Sequence, residues 1–140
     1  RTVMIKKILS KDRLRSIKGT FAFIEHRFLQ EGYFSTLTHH ELILYIFLIL
    51  VSDRHGISWY AYDNICATLR LTLEEYIIAR NSLIDKDLIS TDGYFFQVLS
   101  LPPKESIAKF TKILKNNDDM VRTDPATIHY HVREQFGGGK

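Results

Sequence analysis

The sequence predicts a mainly α domain with a small β hairpin, of the α+β class, and three observations carry that reading. Thr38 and Glu41, and again Thr72 and Glu75, have the spacing of capping boxes, each at the head of an apolar run. Two helical stretches, at 60–69 and 72–86, are separated by a turn of only about three residues. Asp92-Gly93, a favoured pair for a tight hairpin, sits between two extended apolar stretches. The chain has 140 residues, of which 45% are hydrophobic and 25% charged. That is the length of one ordinary domain, and the composition excludes a disordered chain, a collagen-like repeat and a disulfide scaffold.

Along the chain, residues 1–18 form a basic arm with Lys6, Lys7, Lys11, Arg13, Arg15 and Lys18, closed by Gly19. Phe21, Ala22, Phe23 and Ile24 predict a short aromatic strand. A turn or short helix over 26–31 ends at Gly32. The first capping box starts a helix over 38–52. It is apolar nearly all round, so it is expected to be the central, most buried one. Asp53-Arg54-His55-Gly56 is turn chemistry. Ile57, Ser58 and Trp59 read as extended. A helix over 60–69 carries Tyr62, Ile65, Cys66 and Leu69 at helical spacing. Arg70-Leu71 turns, and the second capping box opens a helix to about Lys86. Strands over 88–91 and 94–99 flank Asp92-Gly93, with 57–59 placed to add a third.

Pro102-Pro103 closes this domain, residues 19–101. Residues 102–140 are expected to be a C-terminal helical extension with a flexible end. Ile107 and Phe110 lie on the stripe of one helix over 104–115. Asp124-Pro125 starts another, in which Ile128, Val132 and Phe136 recur every four residues until Gly137. Each stripe must bury against the domain or a second subunit, so a homodimer is the expected assembly.

The order helix, strand, helix, turn, helix, hairpin resembles the winged-helix superfamily of DNA-binding proteins. Residues 21–101 are most similar to the N-terminal domains of bacterial and phage replisome-organiser and plasmid replication-initiator proteins. They are also similar to helix-turn-helix proteins encoded beside bacterial transposases. The likeness rests on Leu37-Thr38, Glu41-Leu42, Tyr45 and Leu48, then Tyr62, Ile65 and Leu69, then Tyr76, Leu83, Leu88 and Ile89. The stretch from Leu83 to Ile89 resembles the family's ending of leucine, three residues, glycine, leucine, isoleucine, with Asp87 where glycine is usual. The resemblance implies a winged helix-turn-helix with additional C-terminal helices and double-stranded DNA as partner. It implies work as a transcription regulator or as a replication or transposition accessory factor, with a transposase or replication protein as a further partner.

Charge is unevenly placed. Residues 1–18 hold seven Lys/Arg and one Asp, residues 19–101 five Lys/Arg and ten acids, and residues 102–140 seven and five. In a winged helix the third helix enters the major groove. Advancing 100° per residue from Thr72 gathers Leu73, Tyr76, Ile77, Leu83 and Ile84 around a buried face at about 80°. The opposite face then shows Glu74, Glu75, Ile78, Asn81, Ser82 and Asp85. It holds three acids and no base, whereas attraction to phosphates needs Lys or Arg.

Arg70, Thr72, Asn81 and Ser82 are the candidate DNA contacts of the core. The arm's six bases would supply phosphate contacts along a backbone or in a minor groove. The arm reads equally as a solvated, disordered tail; a weaker option is a helix with Ile5, Ile8, Leu9 and Ile17 on one side and bases on the other, which suggests an oligomer contact. Arg80 falls at the centre of the apolar face and is expected to pair with a carboxylate, Asp53 or Asp63. The hairpin tip has no base. The competing reading is a protein-interaction module, in which Glu74, Ile78 and Asp85 dock a basic partner. There Ile107, Phe110, Ile128, Val132 and Phe136 bury against protein.

No catalysis is expected. Gly137-Gly138-Gly139-Lys140 lacks the flanking strand and helix of a phosphate-binding loop. His39 and His40 are adjacent, and His129 and His131 are two apart, so neither pair shares one helix face for a metal. No cofactor is expected. Cys66, the lone cysteine, reads as a small buried hydrophobe and suits a reducing cytoplasm. The longest apolar run, 42–51, is shorter than the about 20 residues of a membrane span.

Overall fold

A computed structural model describes residues 4–107. The expected helices beyond Ile107, and with them Phe110, Ile128, Val132 and Phe136, lie outside the described residues.

Among the described residues the fold is mixed α+β, with four helices and a three-stranded antiparallel sheet. The helices are α1 (Arg27–Gln30), α2 (His39–Val51), α3 (Tyr62–Leu69) and α4 (Leu73–Asp85). The strands are β1 (Ile57–Ser58), β2 (Ile89–Thr91) and β3 (Phe96–Val98), in the order β1-β3-β2. No described helix is long and apolar enough to cross a membrane.

Both capping boxes form. The Thr38 hydroxyl accepts from the Glu41 N–H at 3.3 Å, and the Thr38 N–H donates to Glu41 Oε1 at 3.3 Å. Thr72 and Glu75 repeat the arrangement at 3.1 and 2.8 Å. α2 then contributes Leu44, Tyr45, Leu48 and Ile49 to the core. Ile65, Leu71, Tyr76, Ala79, Leu83, Leu88, Ile89 and Phe96 close over them, with Phe28 and Tyr33 on the other side. α2 is not buried all round, because Leu50 is 68% exposed. Tyr33 donates its hydroxyl to the Pro102 carbonyl, and Ile107 packs 3.6 Å from the Cβ position of Gly32. Residues 102–107 are thus part of the same packed body.

The turn between α2 and β1 is held by Asp53, whose Oδ1 accepts from the N–H groups of His55 at 2.8 Å and Ile57 at 3.0 Å. Gly56 sits in it at φ +83°, and a Cβ there would meet the Val98 carbonyl oxygen at 2.6 Å. That contact admits only glycine and brings β1 onto β3, where Ile57 faces Gln97 and Ser58 faces Phe96.

Five expectations are corrected. Residues 21–24 form no strand, since no described backbone group pairs with them, and Phe21 and Phe23 stay 68% and 71% exposed. The arm is no amphipathic helix. It is extended apart from one turn at Lys11–Arg13, with every residue from 4 to 20 exposed. α3 begins two residues later than expected, after Ala61, which offers no side-chain cap, and Tyr62 is 58% exposed. The hairpin is not a two-residue turn. Thr91 pairs with Phe96, leaving a four-residue loop in which Asp92 Oδ1 accepts from the Tyr94 and Phe95 N–H groups, both at 2.8 Å. Asp92 satisfies the loop backbone with its side chain, so only Gly93 needs a positive φ.

Fifth, α4 is rotated from its expected seat. Its buried residues are Tyr76, Ala79 and Leu83, with Lys86 just past its end. Their centre lies roughly 80° from the face that the large aliphatic residues indicate. Ala79 carries little hydrophobic weight yet sits where α4 packs into the core. Leu73 turns outward instead, 50% exposed. The Lys86 ammonium, 1% exposed, donates to Glu41 Oε1 and to the Thr36 carbonyl, both at 2.6 Å. Asp87 follows at φ 63°, a left-handed conformation that favours glycine and that Asp tolerates.

Lys86→Ala leaves a buried carboxylate uncompensated and is expected to cost about 3–5 kcal/mol in urea unfolding. Lys86→Met combined with Glu41→Gln should recover most of that loss. A single-variant cost below about 1 kcal/mol would contradict this placement of the pair. Gly56→Ala should cost more than about 2 kcal/mol, against about 1 kcal/mol for Gly93→Ala. Gly93 also has positive φ, but open space where its Cβ would stand. Equal costs measured by thermal unfolding would remove the role given to the Val98 contact.

Candidate nucleic-acid interface

The residues expected to meet DNA fall into two groups. Lys6, Lys7, Lys11, Arg13, Arg15 and Lys18 all lie on the exposed arm, Lys11 and Arg13 in its one turn and the others on extended chain, with no ion pair to any described residue. Extended chain spaces successive residues by about 3.3 Å, so the bases are spread along a strip rather than clustered at a point.

The second group surrounds the turn into α4. Arg70 is exposed and takes φ 58° as the C-cap of α3, with its N–H donating to the Cys66 carbonyl. Leu71 donates to the same carbonyl at 3.0 Å. The turn thereby presents Arg70 two residues before the N-terminal cap of α4. Thr72 is exposed, but its hydroxyl is engaged by the Glu75 N–H. Asn81 is half-buried, and its Oδ1 accepts from Arg80 Nε and Nη2, each at 3.4 Å. Ser82 is also half-buried, on the flank of the helix. Of the four core candidates, Arg70 alone offers an exposed charge.

Arg80 lies over the Tyr76 ring, 5.7 Å from its centroid. A guanidinium stacked on an aromatic face keeps its charge while its stem packs against the core, which explains an arginine beside apolar positions. Burial pushes the Tyr76 phenol up, and Arg80 opposes that rise.

The exposed side of α4 carries Leu73, Glu74, Ile78 and Asp85, with Leu73 and Ile78 at 50% and 42% exposure. Glu75 lies at the edge, 3.7 Å from His40 Nε2 of α2. The Thr72 N–H and then His40 hold the Glu75 carboxyl below its ordinary value. Backbone N–H groups do the same for Asp53 and Asp92. Cys66 is partly buried against the core. Its thiol is pushed up by burial and then by Asp63, which suits a packing role rather than a nucleophile.

At the hairpin tip the sequence offers no base, and the structure puts aromatic rings there. Tyr94 packs edge-on against Trp59 at 6.0 Å and Phe95 at 5.4 Å, and all three are exposed. The crowding of aromatics at 57–62 and 94–96 was the sequence signal for this cluster, but it takes the β1–β3 pairing to join its two halves.

No protein-family model, no curated protein and no solved structure matches the chain.

The three depressed carboxyls give a signed pH dependence. Each binds its proton less readily when folded, so its stabilisation is present above the ordinary carboxylate range and is lost as pH falls through its lowered folded value. Stability is expected to be flat from neutral pH down to that range, then to fall as acid is added. Asp53→Asn with Glu75→Gln should flatten the fall. An unchanged acid limb in a urea series at stepped pH would count against the assignment.

Proposed function

We propose that the chain is a winged-helix module that engages duplex DNA chiefly through its basic arm, as a small regulator or a replication or transposition accessory factor. One observation carries the reading: the arm exposes six bases on an extended segment clear of the core, while the outer side of α4 presents Glu74 and Asp85. Phosphate attraction scales with the number of cations delivered. Among the described residues only the arm, with Arg70 beside the α4 N-terminus, delivers them in number. The helix pair joined at Arg70-Leu71 and the three-stranded sheet support the winged-helix form. Homodimerisation is part of the proposal.

A second reading has its own observation. The outer side of α4 exposes Leu73 and Ile78 as well as the acids Glu74 and Asp85. Exposed aliphatics flanked by acids suit a basic, apolar protein segment better than a phosphate backbone.

Fluorescence anisotropy on mixed-sequence duplexes tests the first reading. Binding is expected at about micromolar strength in low salt, with a log–log salt slope of up to about −5 for six phosphate contacts. Deleting residues 1–18 should flatten that slope. Absence of binding by the full chain in low salt overturns the proposal. Glu74→Lys with Asp85→Lys separates the readings: tighter DNA binding places α4 at the groove, and a lost protein partner places it at a protein surface.

A further inference from the structure

The outer side of α4 carries one narrow strip of exposed side chains. Glu74, Ile78 and Asp85 are exposed and, at about 100° per residue, fall within about 40° of one another. At about 1.5 Å of rise per residue, Ile78 stands about 6 Å and Asp85 about 16 Å beyond Glu74 along the axis. The only other exposed residue of α4 is Leu73, so the helix exposes acids and aliphatics and no base.

The same chain holds a segment of the opposite character. In the arm Lys6, Ile8 and Lys11 are all exposed. On extended backbone Ile8 and Lys11 lie up to about 7 Å and about 17 Å beyond Lys6. The order base, aliphatic, base thus repeats the order acid, aliphatic, acid at closely similar spacing. The chain bends at Leu9, which interrupts the alternation of sides that would set Lys11 opposite to Lys6 and Ile8. Ile5 and Leu9 beside them are 89% and 92% exposed. Apolar side chains repeated along an exposed segment call for a surface to cover them.

That surface is not the core of the same copy. Tethering would favour a contact within one chain. Yet residues 4–20 stand exposed, and neither Lys6 nor Lys11 pairs with a described acid.

We infer that the arm docks on α4 of a second copy, with Lys6 against Glu74, Ile8 against Ile78 and Lys11 against Asp85. Each copy gives its arm and receives the other's. This isologous exchange makes the contact twice per dimer, which matters because a single exposed ion pair adds little. The inference rests on the reading of α4 as a protein surface and names its partner. It occupies two of the arm's six bases and leaves Lys7, Arg13, Arg15 and Lys18 for phosphates.

Sedimentation equilibrium of the full chain without nucleic acid tests it. At about 100 μM in low salt the chain is expected at twice the mass of one copy, with association weakening as salt is added. Lys6→Glu with Lys11→Glu, and separately Glu74→Lys with Asp85→Lys, should each weaken self-association at least about tenfold. Mixed in equal amounts, the two variants should dimerise again, because each arm then meets an α4 of opposite charge. That recovery also reports that both variants fold. A monomeric full chain, a dimer that survives either reversal, or a mixture that stays monomeric overturns the inference. The reading of α4 as a protein surface fails separately, if the α4 variant binds duplex DNA more tightly.

Discussion

The Lys86–Glu41 pair is the constraint on which the rest of the architecture depends. The ammonium at the end of α4 reaches the first turn of α2 and the Thr36 carbonyl ahead of it, both at 2.6 Å. Glu41 in turn accepts from the Thr38 N–H that opens α2. One buried charge pair thus ties three elements together. Taking both ions out of water costs several kcal/mol each, and only close, hydrogen-bonded geometry offsets it. Sliding α4 along α2 by one turn, about 5.4 Å, would pull the two charges apart and leave them unpaired. The pair therefore selects one register where apolar packing alone would tolerate several. Everything downstream inherits that register. Asp87 turns left-handed directly after it, Leu88 and Ile89 enter the core, and β2 meets β3.

Features set by near neighbours were legible in the sequence. Both capping boxes, the turn at residues 53–56 and the α3–α4 turn are decided within about five residues, and each forms. The misreadings share a different cause. Lys86 looks like any solvated lysine at a helix end until Glu41, 45 residues away, is placed beside it. The rotation of α4 was missed because Ala79 counts for little on a hydrophobicity scale and Lys86 counts against burial. Residues 21–24 have the aromatic content of a strand but no described partner, and a strand exists only as half of a pair. The arm's exposure was legible as charge. Its extended path was not, since Ile5, Ile8, Leu9 and Ile17 also fit a helix.

The candidate interface shows the same division. Arg70 was identifiable because a base in a short turn before a capped helix has few places to hide. The aromatic cluster at the hairpin tip was not, because Trp59 meets Tyr94 only through the pairing of β1 with β3.

The remaining polar groups of α4 are why the proposed DNA contact is placed away from that helix. Thr72 and Glu75 are committed to each other, Asn81 accepts from Arg80, and Arg80 covers the Tyr76 ring. These side chains stabilise the helix and its seat, and a group already hydrogen-bonded must lose that bond before it can read a base. Base readout in a groove relies on exposed donors and acceptors of the right geometry. Here the exposed side of α4 offers Leu73, Glu74, Ile78 and Asp85 instead. A helix whose donors serve its own fold, and whose outer side repels phosphate, needs cations supplied from elsewhere to approach DNA at all. Under the DNA proposal the arm would supply them, since among the described residues its bases are exposed on the segment that packs least against the core.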